Sequence, residues 1–221
     1  MLLIDMETTP LEETANPIKR RTPTQRHKGS PLNEQDWVDA AIGILVNENV
    51  RGIRIEVLCK KLGVTKGSFY WHFATRNDLL MAVLSSWRRR MTLDVIHKIS
   101  SFGNSPTERL QKLISLPRQP KSPASAQVEM SVRDWARRVK MPKDAVAEVD
   151  KIRMDYFVQL LNDAGFEGDD ARGRAYIIYC VMMGDSILHQ SLSEMPHDDF
   201  LKIAMETVLR PTEKSQTEDT V

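Results

Sequence analysis

One run, GVTKGSFYWHF from Gly63 to Phe73, gathers small polar, basic and aromatic side chains at the spacing of a short helix. Thr65, Lys66 and Ser68 cluster where a short helix begins, and there free backbone N–H groups and the helix dipole already favour a phosphate. Gly67, lacking a Cβ, lets another surface come close to the backbone. Phe69 and Phe73 lie four apart, on one helix face, and can lock the helix onto Leu58, Leu62 and Val64. Tyr70, Trp71 and His72 occupy the remaining surface. Tyrosine and tryptophan offer a donor together with apolar area for thymine methyls or sugars, and His72 can reach a phosphate oxygen. The chemistry implied is recognition of a nucleic-acid duplex, with one face holding the helix down and the other reading.

Helices carry this run. Trp37, Ala40, Ala41, Ile44 and Leu45 recur at the spacing of one helix face,. Asn33 can cap that helix, with Asp36 in its first turn. Gly52 breaks the pattern, and a short second helix runs through Val57, Leu58 and Leu62 to a stop at Gly63. Thr65 can cap the third helix across LGVT, a connection of helix-turn-helix length. Thr75 caps a fourth with Asp78 three residues on, and Leu80, Val83, Leu84, Trp87, Met91 and Val95 extend it into the rest of the chain. Further starts are predicted at Ser105–Glu108, Ser122–Ser125, Pro142, Asp169 or Asp170, and Pro196. No segment alternates as a strand would. The fold class is all-α with about nine helices: a three-helix N-terminal domain over 31–78 and a larger helical domain over 79–210. Residues 1–30 are predicted to be a flexible arm with a basic patch (Lys19, Arg20, Arg21, Arg26, Lys28), and residues 211–221 a disordered tail.

The formal net charge of +1 hides an asymmetry. Residues 17–90 hold 14 Lys and Arg against 6 Asp and Glu, whereas residues 91–221 hold 17 against 20. Only the first part is therefore built to meet a polyanion. No apolar run is long enough to span a membrane, and the acidic, proline-broken MLLIDMETTPLEE is the wrong layout for a signal peptide. Cys59 and Cys180 lack a CxxC partner and read as buried reduced thiols, so the expected location is the cytoplasm. His97, His189 and His197 have no metal-ligand spacing, and no Ser/His/Asp or Cys/His set is readable, so neither an enzyme nor a metal or cofactor protein is expected. Glu148, Asp150 and Asp155 alternate with bases and read as a solvated helix face.

Residues 33–90 resemble the DNA-binding domain of the TetR family of bacterial transcriptional regulators. LCKKLGVTKGSFYWHFATRNDLL is similar to that family's helix-turn-helix and the start of its fourth helix almost throughout. The resemblance implies Thr65, Lys66, Gly67, Ser68 and Tyr70 at the major groove, and Trp71, His72 and Arg76 at the phosphates. Ile55 stands where the family often has a phosphate-contacting Thr or Ser, leaving Arg54 or Arg51 to supply that contact. The family further implies a homodimer joined by its last two long helices, here AYIIYCVMMGDSIL and FLKIAMETVL, with Ala175, Gly184 and Ala204 allowing close helix approach.

A ligand cavity in the larger domain is implied as well. Its candidate lining is the soft apolar set Trp87, Met91, Met130, Trp135, Tyr156, Phe157, Tyr179 and Met183, suited to a small hydrophobic effector, although ordinary core packing explains each residue singly. Asp185, within an otherwise apolar helix, must find a partner if buried: Arg133, the cavity or the dimer seam. The function implied is a ligand-responsive repressor that binds a palindromic operator in double-stranded DNA and is released by its effector. The alternative is a non-specific architectural DNA-binding protein without effector.

Overall fold

The computed structural model describes residues 32–101, 105–189, 191–192 and 195–211. The expected basic arm and most of the C-terminal tail lie outside the described residues. From Asn33 onward the chain forms one compact unit.

Its elements are α1 (Glu34–Glu48), a 3-10 turn (Val50–Gly52), α2 (Ile55–Leu62), α3 (Lys66–His72), α4 (Arg76–Arg88), a π segment (Arg89–Leu93) and α5 (Asp94–Ser101). Then come α6 (Pro106–Ser115), a second 3-10 turn (Leu116–Arg118), α7 (Ser122–Ala136), α8 (Lys140–Asp163), α9 (Gly168–Leu188) and α10 (His197–Leu209). No strand occurs among the described residues. Because α4 passes through the π segment into α5 without a break, the all-α reading with about nine helical rods holds.

Capping chemistry explains four of the boundaries. Asn33 with Asp36, Thr75 with Asp78 and Ser105 with Glu108 each form a reciprocal capping box, satisfying N–H groups that the helix itself leaves unpaired. Gly63 ends α2 at φ 69°, a left-handed position that glycine adopts without a Cβ clash,. Three expected starts move. α9 begins at Gly168 with Glu167 at its cap, so neither Asp169 nor Asp170 caps it. Both sit in the first turn instead, paired to Arg172 and Arg174. α7 takes Ser122 as its first helical residue, not as a cap. α8 starts at Lys140, two residues before Pro142, which is tolerated there because first-turn N–H groups have no intrahelical acceptor,.

Two apolar cores result. Around the helix-turn-helix, Trp37, Ile44, Leu45, Ile53, Leu58, Phe69, Leu79 and Val83 are buried, with the Trp37 and Phe69 rings edge to face at 5.4 Å. In the larger domain α6, α8, α9 and α10 close over Leu110, Leu113, Phe157, Leu160, Leu161 and Ile178.

Candidate functional site

The turn at Gly63 sets α3 across α2, and the burial of Phe69 and Phe73 against that corner fixes which side of α3 faces out. Phe69 is fully buried, whereas its neighbours Tyr70 and Trp71 are 56% and 87% exposed. Thr65, Lys66 and Gly67 are exposed beside them, and Ser68 and His72 are half-buried. Thr65 stands at the cap position of α3, but its hydroxyl makes no cap hydrogen bond. A Cβ placed on Gly67 would meet only Thr65 Oγ1, at 3.6 Å, so nothing inside the chain demands glycine there. Lys66 Nζ lies 2.6 Å from Glu56 Oε1 on α2. That hydrogen bond draws the Glu56 carboxyl below its ordinary range and raises the Lys66 ammonium in return.

Arg54 is exposed at the cap position of α2 and makes no side-chain cap bond. Arg76, expected at the phosphates, is also bonded within the chain. Its Nε and Nη2 donate to the Ile53 and Val50 carbonyls, tying the start of α4 to the 3-10 turn. Seven expected residues thus share the surface around α3, with Arg54 on the neighbouring cap and Arg76 held inward.

The larger domain contains a cavity of about 300 Å³ between α5, α7, α8, α9 and the π segment. Met91, Tyr156, Phe157, Tyr179 and Met183 lie on its wall, together with Val95, Ile96, Leu113, Leu116 and Met182. Trp87 and Trp135 are buried in the surrounding packing, off the wall, and Met130 is exposed on α7. Helical phase explains Met130: α7 presents Ser122, Ser125, Ala126 and Glu129 to the cavity, and the next residue after Glu129 is turned about 100° away.

One part of the wall is polar, and sequence reasoning missed it. The five N–H groups of Arg153 on α8 are all engaged. Nε donates to Thr92 Oγ1 (3.1 Å), Nη1 to Glu129 Oε1 (3.1 Å) and Tyr179 Oη (3.0 Å), and Nη2 to Glu129 Oε2 (3.2 Å) and the Met91 carbonyl (3.2 Å). Glu129 accepts further bonds from Arg133 Nε (2.9 Å) and the Trp87 indole (3.1 Å). Tyr179 donates to Asp150 Oδ1 (2.6 Å), and Arg133 bonds both Asp150 oxygens.

Two carboxylates face two guanidiniums, so the cluster is charge-balanced. Burial alone would raise Glu129 and Asp150, but the arginines overcome it and hold both carboxyls below their usual range. Burial pushes the Tyr179 hydroxyl up to about 12. Asp150 is therefore not part of a solvated face. Apart from the Arg133–Glu129 pair, four residues apart, the contacts span 17 to 62 residues and leave no local signal in the sequence beyond charged residues on amphipathic helices. The partner of Asp185 is likewise distant: Arg118, not Arg133, grips it with Nε and Nη2 at 2.8–3.2 Å.

On α9 and α10 a second surface stands open. Tyr176, Ile177, Ile187, Leu188 and Ile203 are exposed, and a Cβ on Gly173 or Gly184 would meet nothing within 4 Å. Cys180 is exposed on the same stretch, contrary to the expected buried thiol, while Cys59 is buried. Ala175, expected at a helix–helix seam between chains, is instead fully buried in this chain's own core. No helix among the described residues is long and apolar enough to cross a membrane, and no group of three or more His, Cys, Asp or Glu there could hold a metal ion.

Residues 38–83, from α1 through most of α4, match the family profile described as bacterial regulatory proteins, tetR family. Over that segment the chain is similar to the DNA-binding domain of TetR-family regulators. Two curated Pseudomonas putida proteins, the HTH-type transcriptional regulator SrpR and the uncharacterized HTH-type transcriptional regulator TtgW, are each 37% identical to it over 60 residues, 27% of this chain. The matched segment spans 28% and 45% of their respective lengths. The TetR-type fold extends much further. A TetR-family transcriptional regulator from Rhodococcus sp. superposes with a TM-score of 0.64 at 18% identity, covering 79% of this chain and 97% of that one. FadR from Bacillus subtilis, solved with stearoyl-CoA, superposes with a TM-score of 0.61 at 16% identity, covering 82% and 100%. A transcriptional regulator from Saccharomonospora viridis, solved with choline, gives 0.66 at 15% identity over 79% and 94%.

Proposed function

We propose that this protein is a cytoplasmic, non-enzymatic transcriptional regulator of the TetR family that binds a palindromic operator as a homodimer and is released by a small, largely apolar effector. The observation that carries this reading is the division of α3. Phe69 and Phe73 are sunk into the core while Lys66, Tyr70 and Trp71 stand clear of it. Large aromatics exposed beside a lysine at a helix start are costly to leave in water and useful against a duplex, where the lysine meets phosphate and the rings meet base edges or sugars.

The exposed apolar stripe of α9 with Ile203 of α10 is the surface through which two copies would join, and its open glycines would admit a close helix neighbour,. A twofold dimer presents two α3 helices roughly 34–36 Å apart, or a multiple of that, to two half-sites. Effector chemistry follows from the cavity wall. Arg153, Glu129 and Tyr179 already hold partners there, so an entering molecule gains little by presenting polar groups to them and most by filling the space beside the methionines and aromatics.

Selection of bound fragments from random and genomic DNA at a stated physiological salt concentration tests the proposal. A recovered palindrome is the expected result. Equal recovery of all sequences would replace it with architectural, non-specific binding, and no retention of DNA at all would overturn it.

A further inference from the structure

The π segment Arg89–Leu93 lies where the reading head, the cavity and the polar cluster meet, and it is held from both sides. A π turn carries one residue more than an α turn, here with the Asp94 N–H bonded to the Arg89 carbonyl, and such turns concentrate at functional sites. From the head, α1 holds its first two residues: Arg90 pairs with Asp39 at 2.8 Å, and Arg89 donates to Gln35 at 3.3 Å. From the cavity, Arg153 holds the next two through the Met91 carbonyl and the Thr92 hydroxyl. The same guanidinium is bound to Glu129 of α7 and Tyr179 of α9. Met91, Thr92, Glu129, Arg153 and Tyr179 are all on the cavity wall.

We propose that Arg153 is the positioning residue that reports occupancy of the cavity to the reading head, with the π segment as the element it sets. The inference rests on the regulatory reading above. A ligand pressed against Glu129 or Tyr179 displaces Arg153. With every N–H committed, that guanidinium cannot follow Glu129 without pulling on Met91 and Thr92. Releasing the extra residue of the π turn re-registers α5 against α4, and the pull reaches α1 through Arg89 and Arg90. A packed helix with two discrete ladders supplies the bistability that such a switch needs.

Two measurements on the full chain test this. In the first, hydrogen–deuterium exchange is followed in α1 for wild type, Thr92→Val and Arg153→Lys. Thr92→Val keeps the side-chain shape and removes one acceptor; Arg153→Lys keeps the charge and removes most of the fork. Arg118→Lys, which loosens the buried pair with Asp185 remote from α4, serves as the control. Exchange in α1 should rise at least threefold in both test variants and stay unchanged in the control; unchanged exchange in the two test variants overturns the relay. The second is a double-mutant cycle in operator affinity between Thr92→Val and Asp39→Asn, which act on opposite sides of the π segment. Their combined effect should depart from the product of the single effects by threefold or more, whereas Arg118→Lys with Asp39→Asn should multiply. Independent effects across the π segment count against the relay, because a merely structural role predicts them. The exchange experiment needs no operator, so a failed DNA selection would remove the proposed function while leaving the relay separately decidable.

Discussion

The outer face of α3 leaves its polar and aromatic groups open, with Tyr70 and Trp71 in solvent and Lys66 held by one exposed pair to Glu56. The polar wall of the cavity does the opposite, closing the donors of Arg153 and the oxygens of Glu129 on one another. An open group contributes little to folding and is available to a partner; a closed one is costly to disturb and has nothing left to offer. The contrast separates residues that should govern binding from residues that should govern stability and its coupling to the reading head.

The sharpest way to break that contrast is Glu129→Leu, which strips the buried arginines of their shared carboxylate. Removing one partner of a buried pair costs about 3–5 kcal/mol, and urea unfolding should show it. A loss below about 1 kcal/mol would mean that water already serves the cluster. Next in size, Tyr70→Ala should weaken specific operator binding by about 1–3 kcal/mol while leaving the unfolding curve in place. Loss of stability instead would make Tyr70 a core residue.

The cluster also predicts a pH response. Tyr179 titrates higher in the folded chain than the ordinary value near 10,. Its contribution is therefore complete below about pH 10 and is lost as the pH rises toward about 12, because the folded state binds more protons there. Tyr179→Phe should flatten that alkaline decline in thermal unfolding. Glu129 and Asp150, lowered in the fold, act at the other end: their contribution persists above the usual carboxylate range and disappears only as acid reaches their depressed values. The smallest effect is expected from Lys66→Ala, which should flatten the salt dependence of DNA binding by about one unit without moving the melting temperature. A slope identical to wild type would remove Lys66 from the phosphates.

Sequence reasoning reached the outward face of α3 because everything that builds it is local. The left-handed glycine at Gly63, the four-residue spacing of Phe69 and Phe73, and the boxes at Asn33 and Thr75 each act within one or two helical turns. The same reasoning did not foresee the bonds of Arg76 to the Val50 and Ile53 carbonyls, since nothing nearby in the sequence marks those acceptors. Five of the eight residues expected at the cavity stand on its wall. Trp87, Trp135 and Met130 do not, because composition identifies soft apolar residues but not the rotation of a helix against its neighbours.

Helix content, the boxed helix starts at Asn33, Thr75 and Ser105 and the outward face of α3 were thus determined by the sequence itself, through forces that run between residues a few positions apart. Tertiary structure alone decided which charges are buried together. Arg153 meets Thr92 across 61 residues, Arg118 meets Asp185 across 67, and the Trp87 indole meets Glu129 across 42. A buried charge must find an opposite one wherever packing brings it, and that packing is settled only when α4, α7, α8 and α9 come together.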